Sequence, residues 1–254
     1  MDALPGRSTA PVDEWSEGSA ITDSIAVLGH RGSPYRAAGI AENTLAAFDR
    51  SRQLGADGVE LDVRMTADGE LAVHHDAEVP GLGPVAGLNA AMLPVPVPLL
   101  AAALDACGGL TVNIEIKNLP GQPGFDPDDR MARQVVDLVV ARGRVGDVVV
   151  SSFWPDTLTA VRTAHPDLAT GLLVASWLDP ATGVATAVER GCTALHPPVD
   201  RVDAALVDRA HRAGLSVAAW TVNDPGDLEA VARAGVDAVI TDDVALALRT
   251  LRPG

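Results

Sequence analysis

The sequence predicts a closed parallel (β/α)₈ barrel, because short apolar runs alternate with helical stretches from residue 25 onwards. The chain has 254 residues, of which 47% are hydrophobic, and about 250 residues is the usual size of one such barrel. A second observation is a recurring sequence pattern, in which a glycine ends a helix and a new strand follows. It occurs in QLGADGVEL, ARGRVGDVVV, ERGCTAL, RAGLSVAAW and RAGVDAVIT.

Eight strands separated by helices can be placed along the chain. Their expected ranges are 25–30, 57–63, 110–117, 147–152, 169–174, 193–196, 215–221 and 237–241. One helix illustrates the helical signal: Asp126 can cap it, Pro127 fits its first turn, and an apolar stripe runs from Met131 to Val139 before Gly143. We therefore expect a single (β/α)₈ domain over residues 25–254.

The segment after Asp62 departs from the simple alternation of strand and helix. TADG at 66–69 is typical of a tight turn, and LAVHH after it reads as a returning strand, so the two predict a hairpin arm over the barrel mouth. Residues 80–98 are rich in Pro, Gly and Ala and are interpreted as a short capping insertion, or simply a loop. Both features follow the second strand.

Residues 1–24 contain five acidic side chains and no apolar run, so we expect a disordered tail and no signal peptide. No segment reaches the roughly 20 apolar residues of a membrane span. The cysteines, Cys107 and Cys192, lack metal-site spacing and are interpreted as free thiols in a reducing compartment. Together these features predict a cytoplasmic protein without stable membrane association.

A net charge of −15 argues against a nucleic-acid or anionic-membrane partner, because such binding draws mainly on Lys and Arg. The expected ligand is therefore a small molecule. The sequence leaves the oligomeric state open.

Two predicted strands carry acidic residues at alternate positions, so that the carboxylates share one face. ELDV places Glu60 and Asp62 together, and TVNIEIKN adds Glu115 and the ammonium of Lys117. Both strands are apolar enough to be central in a parallel sheet, and ligands bind at the carboxyl ends of such strands. Three carboxylates suit a hard divalent ion, Mg²⁺ or Ca²⁺, whereas zinc more often recruits His or Cys.

Several separated motifs resemble the glycerophosphodiester phosphodiesterase family. They are HRG at 30–32, ENT at 42–44 with an aromatic four residues on, G-x-E-x-D-V, T-x-D-G and a terminal HD at 75–76. NIEIK, SSF, AWTVND and GVDAVITD look like the family's later strand ends, so the resemblance covers roughly residues 25–248. After Asp76 many members carry an Arg-Thr-Thr run, and this chain has AEVPGLGPV instead.

The resemblance implies metal-dependent hydrolysis of a glycerophosphodiester to an alcohol and glycerol 3-phosphate. It implies that His30 and His75 act as general acid and base, in an order the sequence leaves open, because imidazole can serve either role near neutral pH. Arg31 offers a planar fork that matches phosphate oxygens. Glu42 and Asn43 belong to the family's active site, although local capping of the following helix is an alternative for both.

Four further interpretations concern single residues. Lys117 is the only lysine in the chain and lies two residues from an expected metal ligand, so we expect it at the phosphate. Trp220 is expected either to form an apolar wall for the glycerol group or to pack at the barrel rim. Strand alternation sends His74 away from His75, towards packing or solvent. His196 is expected to be structural or to line the pocket.

Two other functions fit the same residues. A lipid phosphodiesterase of the sphingomyelinase D type would use a similar site but ordinarily needs a secreted, membrane-touching chain. A non-catalytic barrel that binds phosphate esters would bind its ligand in a metal-dependent way without turnover.

Overall fold

The computed structural model describes residues 25–175 and 178–252, and the predicted disordered tail at 1–24 lies outside them. The strands are β1 Ala26–Gly29, β2 Gly58–Met65, β3 Leu71–Val73, β4 Glu78–Val79, β5 Gly83–Pro84, β6 Thr111–Ile116, β7 Val148–Ser152, β8 Ala169–Leu173, β9 Ala194–His196, β10 Ser216–Ala219 and β11 Ala238–Thr241. The α-helices are α1 Leu45–Leu54, α2 Leu100–Ala106, α3 Arg130–Ala141, α4 Pro155–Ala164, α5 Pro180–Glu189, α6 Ala204–Arg212, α7 Pro225–Ala234 and α8 Val244–Leu251.

Eight parallel strands close into a barrel, as predicted. The order around the barrel is β1, β2, β6, β7, β8, β9, β10 and β11, and β1 pairs with both β2 and β11. The five glycines predicted to end helices all have positive φ angles. This left-handed conformation suits glycine and lets the chain turn from a helix into the next strand.

Helices cover the outside of the barrel through apolar stripes. On α3, Met131, Val135 and Val139 are at most 1% exposed. This helix begins at Arg130 rather than at Pro127 as predicted. The reason is local: the Asp126 carboxylate accepts a hydrogen bond from the Met131 backbone N–H at 2.9 Å, so the chain before Arg130 folds as a turn.

The inside of the barrel is apolar on one side, where Leu28, Ala218 and Ile240 pack together. On the other side the His196 ring occupies the space beside Gly171, where an added Cβ would lie 2.5 Å from His196 Nε2. Burial lowers the pKa of His196 to about 4, so its ring is neutral at physiological pH. His196 is therefore a packing residue of the barrel interior.

The predicted hairpin arm and insertion are both present. β3 pairs antiparallel with β2, and the Thr66–Gly69 turn joins them. The insertion forms the small β4–β5 hairpin and buries Val85 and Leu88 against the arm. No helix within the described ranges is long and apolar enough to cross a membrane.

Candidate active site

Three carboxylates meet at the carboxyl ends of β2 and β6. In the parallel register Asp62 lies beside Glu115, and Glu60 lies beside Asn113. Glu60, Asp62 and Glu115 are 3%, 1% and 8% exposed, and one oxygen from each lies within 4.8 Å of the others. Strand alternation thus produces the acidic triad that the sequence predicted, and the barrel buries it.

Lys117 supplies positive charge to this triad. Its Nζ lies 3.0 Å from Asp62 Oδ1 and 2.5 Å from Glu115 Oε1. Burial tends to lower the pKa of Lys117, but the charges of Glu115 and Asp62 outweigh it, and the pKa is raised above that of a free lysine. The ammonium is therefore fully charged beside the carboxylates.

The triad is electrically unbalanced without a further cation. Burial and the neighbouring Asp62 charge raise the pKa of Glu60 to about 8. Burial also raises the pKa of Glu115, whereas at Asp62 burial is outweighed by the neighbouring basic side chains, Lys117 first, and the pKa is lowered. Glu60 Oε1 is buried and has no hydrogen-bond partner among the described residues. An orphan acceptor in an all-oxygen triad fits a hard divalent ion such as Mg²⁺ or Ca²⁺.

Arg31 lies where β1 ends and reaches the same carboxylates. Its backbone N–H donates to Glu60 Oε2 at 2.8 Å, and its Nε lies 3.4 Å from Asp62 Oδ2. Its guanidinium also donates to Glu42 Oε1 at 2.6 Å. Arg31 has a φ of 54°, which is uncommon for a residue with a side chain and often marks a functional constraint.

The next residue, Gly32, explains why the motif needs glycine. Its φ is 80°, and a Cβ there would lie 2.7 Å from the Ala47 backbone carbon. The chain therefore passes close to α1 and turns Arg31 towards the triad.

Of the two roles that the sequence left open, helix capping belongs to Thr44 and contact with the triad belongs to Asn43. Thr44 caps α1, since its hydroxyl accepts from the Ala47 backbone N–H at 3.2 Å. Asn43 Nδ2 instead donates to Asp62 Oδ2 at 2.7 Å, so this amide orients a triad carboxylate. Glu42 is half-exposed and touches the triad only through its ion pair with Arg31.

His30 is held by residues from the far end of the chain. Its Nδ1 lies 2.7 Å from Asp242 Oδ1, and Asn223 Nδ2 donates to Asp242 Oδ2 at 2.7 Å. This leaves His30 Nε2 on the side of Glu60, 4.0 Å from Glu60 Oε2. Burial tends to lower the pKa of His30, but the Asp242 hydrogen bond and the Glu60 charge raise it overall.

His75 lies on the hairpin arm and faces the same cavity as His30. Its Nδ1 pairs with Asp76 Oδ1 at 2.8 Å. Burial and the Lys117 charge lower the pKa of His75. His74 is oriented differently: its Nε2 lies 3.3 Å from the Glu78 carbonyl, and it does not line the cavity.

A cavity of about 140 Å³ joins these groups at the barrel mouth. Its lining residues are His30, Arg31, Glu60, His75, Asn113, Glu115, Lys117, Phe153, Leu173, Trp220 and Ile240. Trp220 packs edge-to-face on Phe153, with ring centroids 5.6 Å apart, and its Nε1 donates to the His196 carbonyl at 2.8 Å. The cavity lining therefore combines aromatic and apolar side chains with charged ones.

Sequence reasoning missed Asp242 and Asn223 as parts of this site. A usable signal existed, since Asn223 closely follows β10 and Asp242 directly follows β11, and the carboxyl ends of barrel strands carry the active site. The partner of each residue could not be read from the sequence, because His30 and Asp242 lie 212 positions apart.

The fold and the site define the class: a (β/α)₈ barrel enzyme with an acidic triad that could hold a cation at the carboxyl ends of its strands. The model of the Glycerophosphoryl diester phosphodiesterase family matches residues 30–246. The chain belongs to this family.

Individual relatives agree with the assignment. A glycerophosphodiester phosphodiesterase of Caldanaerobacter subterraneus is 31% identical to this chain, and the match covers 90% of this chain and 98% of the relative. The crystal structure of a putative glycerophosphoryl diester phosphodiesterase from Silicibacter pomeroyi has a TM-score of 0.78 and 26% identity, covering 90% of this chain and 93% of that one. An Oleispira antarctica phosphodiesterase, solved with the product sn-glycerol-3-phosphate, shares the fold with a TM-score of 0.75 and 23% identity, over 89% of this chain and 96% of that one.

We predict that Asp242→Asn lowers the pKa of His30. The Asp242 carboxylate raises that pKa through its hydrogen bond and its charge, and the amide removes the charge. The measurement is a histidine NMR titration of the metal-free protein. Asp237→Asn is the matched control, because Asp237 pairs with His211 at 2.9 Å away from the site. An unchanged His30 titration in Asp242→Asn would contradict the pairing.

Proposed function

We propose that this enzyme hydrolyses glycerophosphodiesters to an alcohol and glycerol 3-phosphate with the help of one divalent cation, Mg²⁺ or Ca²⁺. The observation that carries the proposal is the meeting, in one cavity, of a buried acidic triad, two cations and two histidines. The family match and the 31% identical relative support the substrate class. The ligand is a small molecule.

The phosphate would lie beside the triad, within reach of the two basic side chains. In this proposal Glu60, Asp62 and Glu115 hold the ion, which, when bound, draws electron density from a phosphoryl oxygen as a Lewis acid. Arg31 and Lys117 contact the other phosphoryl oxygens and stabilise the charge that grows there in the transition state. Glu42 and Asn43 keep Arg31 and Asp62 in their orientations.

The two histidines would carry the protons. Each is held through Nδ1 by a carboxylate, His30 by Asp242 and His75 by Asp76, so each can present Nε2 to the cavity. One takes the proton of the attacking hydroxyl, from water or from the substrate's own neighbouring hydroxyl. The other donates a proton to the alcohol oxygen as its bond to phosphorus breaks.

The apolar wall would take the carbon skeleton of the substrate. Trp220, Phe153 and Leu173 line the same cavity as the charged groups, so the glycerol carbons can pack on them while the phosphate faces the triad. A cytoplasmic location and a single domain over residues 25–254 remain predictions of the sequence.

We predict that chelation abolishes activity and that Mg²⁺ or Ca²⁺ restores it, because the buried triad loses its countercharge together with the ion. Glu115→Gln should lower kcat by about 10²-fold or more while the protein stays folded. Turnover of a glycerophosphodiester panel is measured after dialysis against chelator. Glu229→Gln, on an exposed carboxylate of α7, is the matched control. Full activity in excess chelator would refute the metal requirement.

We predict that His30→Ala and His75→Ala each lower kcat by about 10²-fold or more, as expected when a general acid or base is removed. His74→Ala should change kcat far less, because His74 lies outside the cavity. Steady-state kinetics of the three variants, with circular dichroism to check folding, decides the matter. A His74 phenotype as large as that of His75 would overturn the assignment.

A further inference from the structure

Arg64 is a buried arginine near the site that the proposed chemistry does not use. It lies on β2 two residues after Asp62, and so on the same side of the strand. It is only 7% exposed. Its Nε donates a hydrogen bond to the backbone carbonyl of His75 at 2.8 Å. A long cationic side chain is costly to bury unless its donors are hydrogen-bonded, so the contacts that Arg64 makes are expected to have a structural or functional role.

The hydrogen bond from Arg64 to the His75 carbonyl lies where the hairpin arm leaves the barrel. The last ladder contact of the arm is the hydrogen bond from His74 N–H to the Asp62 carbonyl at 3.0 Å. The following residue, His75, carries the ring that faces the cavity. Its ring is paired with Asp76, its own neighbour in the chain, so that pair moves with the segment. Arg64 connects the His75 segment to β2, the strand that also bears Glu60 and Asp62.

The other end of the guanidinium reaches a second part of the chain. Arg64 Nη2 lies 3.4 Å from Gln122 Oε1, in the loop between β6 and α3. Asn118 clamps that loop: its Oδ1 accepts from the Asp126 N–H at 2.8 Å, and its Nδ2 donates to the Asp126 carbonyl at 2.9 Å. Asn118 and Asp126 are 1% and 2% exposed. Arg64 therefore links β2 both to the His75 backbone and to the loop between β6 and α3.

We propose that Arg64 is a positioning residue: it fixes the backbone at His75 so that the imidazole stays in reach of the phosphate. The inference rests on the proposed catalytic role of His75. A displacement of about 1 Å of a catalytic group can cost roughly 10²-fold in rate, so one bond to the backbone can matter for turnover. The planar fork suits the task, because Nε and Nη2 serve two acceptors at fixed angles, which a lysine cannot do.

A direct phosphate contact by Arg64 fits the structure less well. The residue does not line the cavity, and its Nε and Nη2 already face protein acceptors. Arg31 and Lys117 do line the cavity. The two roles give different kinetics, because a positioning residue acts through kcat and only where His75 is present.

The experiment is a double-mutant cycle of Arg64→Met and His75→Ala, assayed on a glycerophosphodiester at saturating metal. Arg64→Met alone should lower kcat by about 10-fold with little change in KM, which marks an interaction realised in the transition state. In the His75→Ala background the same change should lower kcat by less than about 2-fold, since there is no ring left to position. Arg64→Lys should recover part of the loss.

Arg144→Met is the matched control. Arg144 also donates to backbone carbonyls, those of Leu104 at 2.9 Å and Leu110 at 2.8 Å, but at the end of α2 and remote from the site. Its replacement should reduce stability and leave kcat unchanged. A fall in kcat matching that of Arg64→Met would mean that lost stability explains both, and would overturn the inference.

The outcomes separate the inference from the proposed function. Equal losses of kcat from Arg64→Met in both backgrounds, or a rise in KM alone, overturn the positioning role and leave the function standing. Wild-type turnover in His75→Ala overturns the role of His75 and the inference with it. If Arg64→Met does not fold, Arg64→Lys replaces it in the cycle, and wild-type kcat in that folded variant overturns the inference.

Discussion

The repulsion among three buried carboxylates is the constraint on which the site depends. Two unit charges 4 Å apart repel by about 4 kcal/mol at an effective dielectric constant of 20, and burial penalises each charge further. Glu60, Asp62 and Glu115 are brought within 4.8 Å of one another by strand register, not by mutual attraction. The surrounding groups must therefore supply positive charge or protons.

The neighbouring residues supply part of that positive charge, and they supply it unequally to the three carboxylates. Lys117 approaches Asp62 and Glu115, and Arg31 approaches Asp62 and donates its backbone N–H to Glu60. At Glu60 these charges do not offset burial and the neighbouring Asp62 charge, which raise its pKa to about 8. The same imbalance would favour a bound cation, and in the proposed function this cation would bind the phosphate together with Arg31 and Lys117.

Most of the fold followed from patterns that local physics determines. The alternation of Glu60 and Asp62 with apolar neighbours predicted both the strand and the shared face, because a pleated strand has a period of two. Glycines after helices located the next strands, since their positive φ ends a helix. The predicted start of α3 was wrong, since the helix begins at Arg130; Asp126 still accepts from a first-turn N–H, that of Met131, but from across a turn that precedes the helix.

The contacts that hold the catalytic candidates could not be predicted in the same way. Asp242 is 212 positions from His30, and only closure of β11 against β1 brings them to 2.7 Å. Arg64 appears in sequence as one more alternating residue of β2, and nothing local indicates that its Nε meets the His75 carbonyl. Such contacts form only where two separate segments of the chain meet in the folded structure, and the periodicity of a single segment does not predict that meeting.

The most direct test of the account is whether the triad binds one divalent ion in exchange for a proton. At pH 7 a Glu60 pKa of about 8 leaves most molecules protonated at this carboxyl, and a ligating carboxylate must be ionised. Calorimetric titration of the metal-free protein with Mg²⁺, in buffers of different ionisation enthalpy, measures the number of ions bound and the number of protons released. The account predicts one ion per chain with release of close to one proton at pH 7, and release that vanishes above pH 9. Absence of binding, or equal binding by Glu115→Gln, would contradict it.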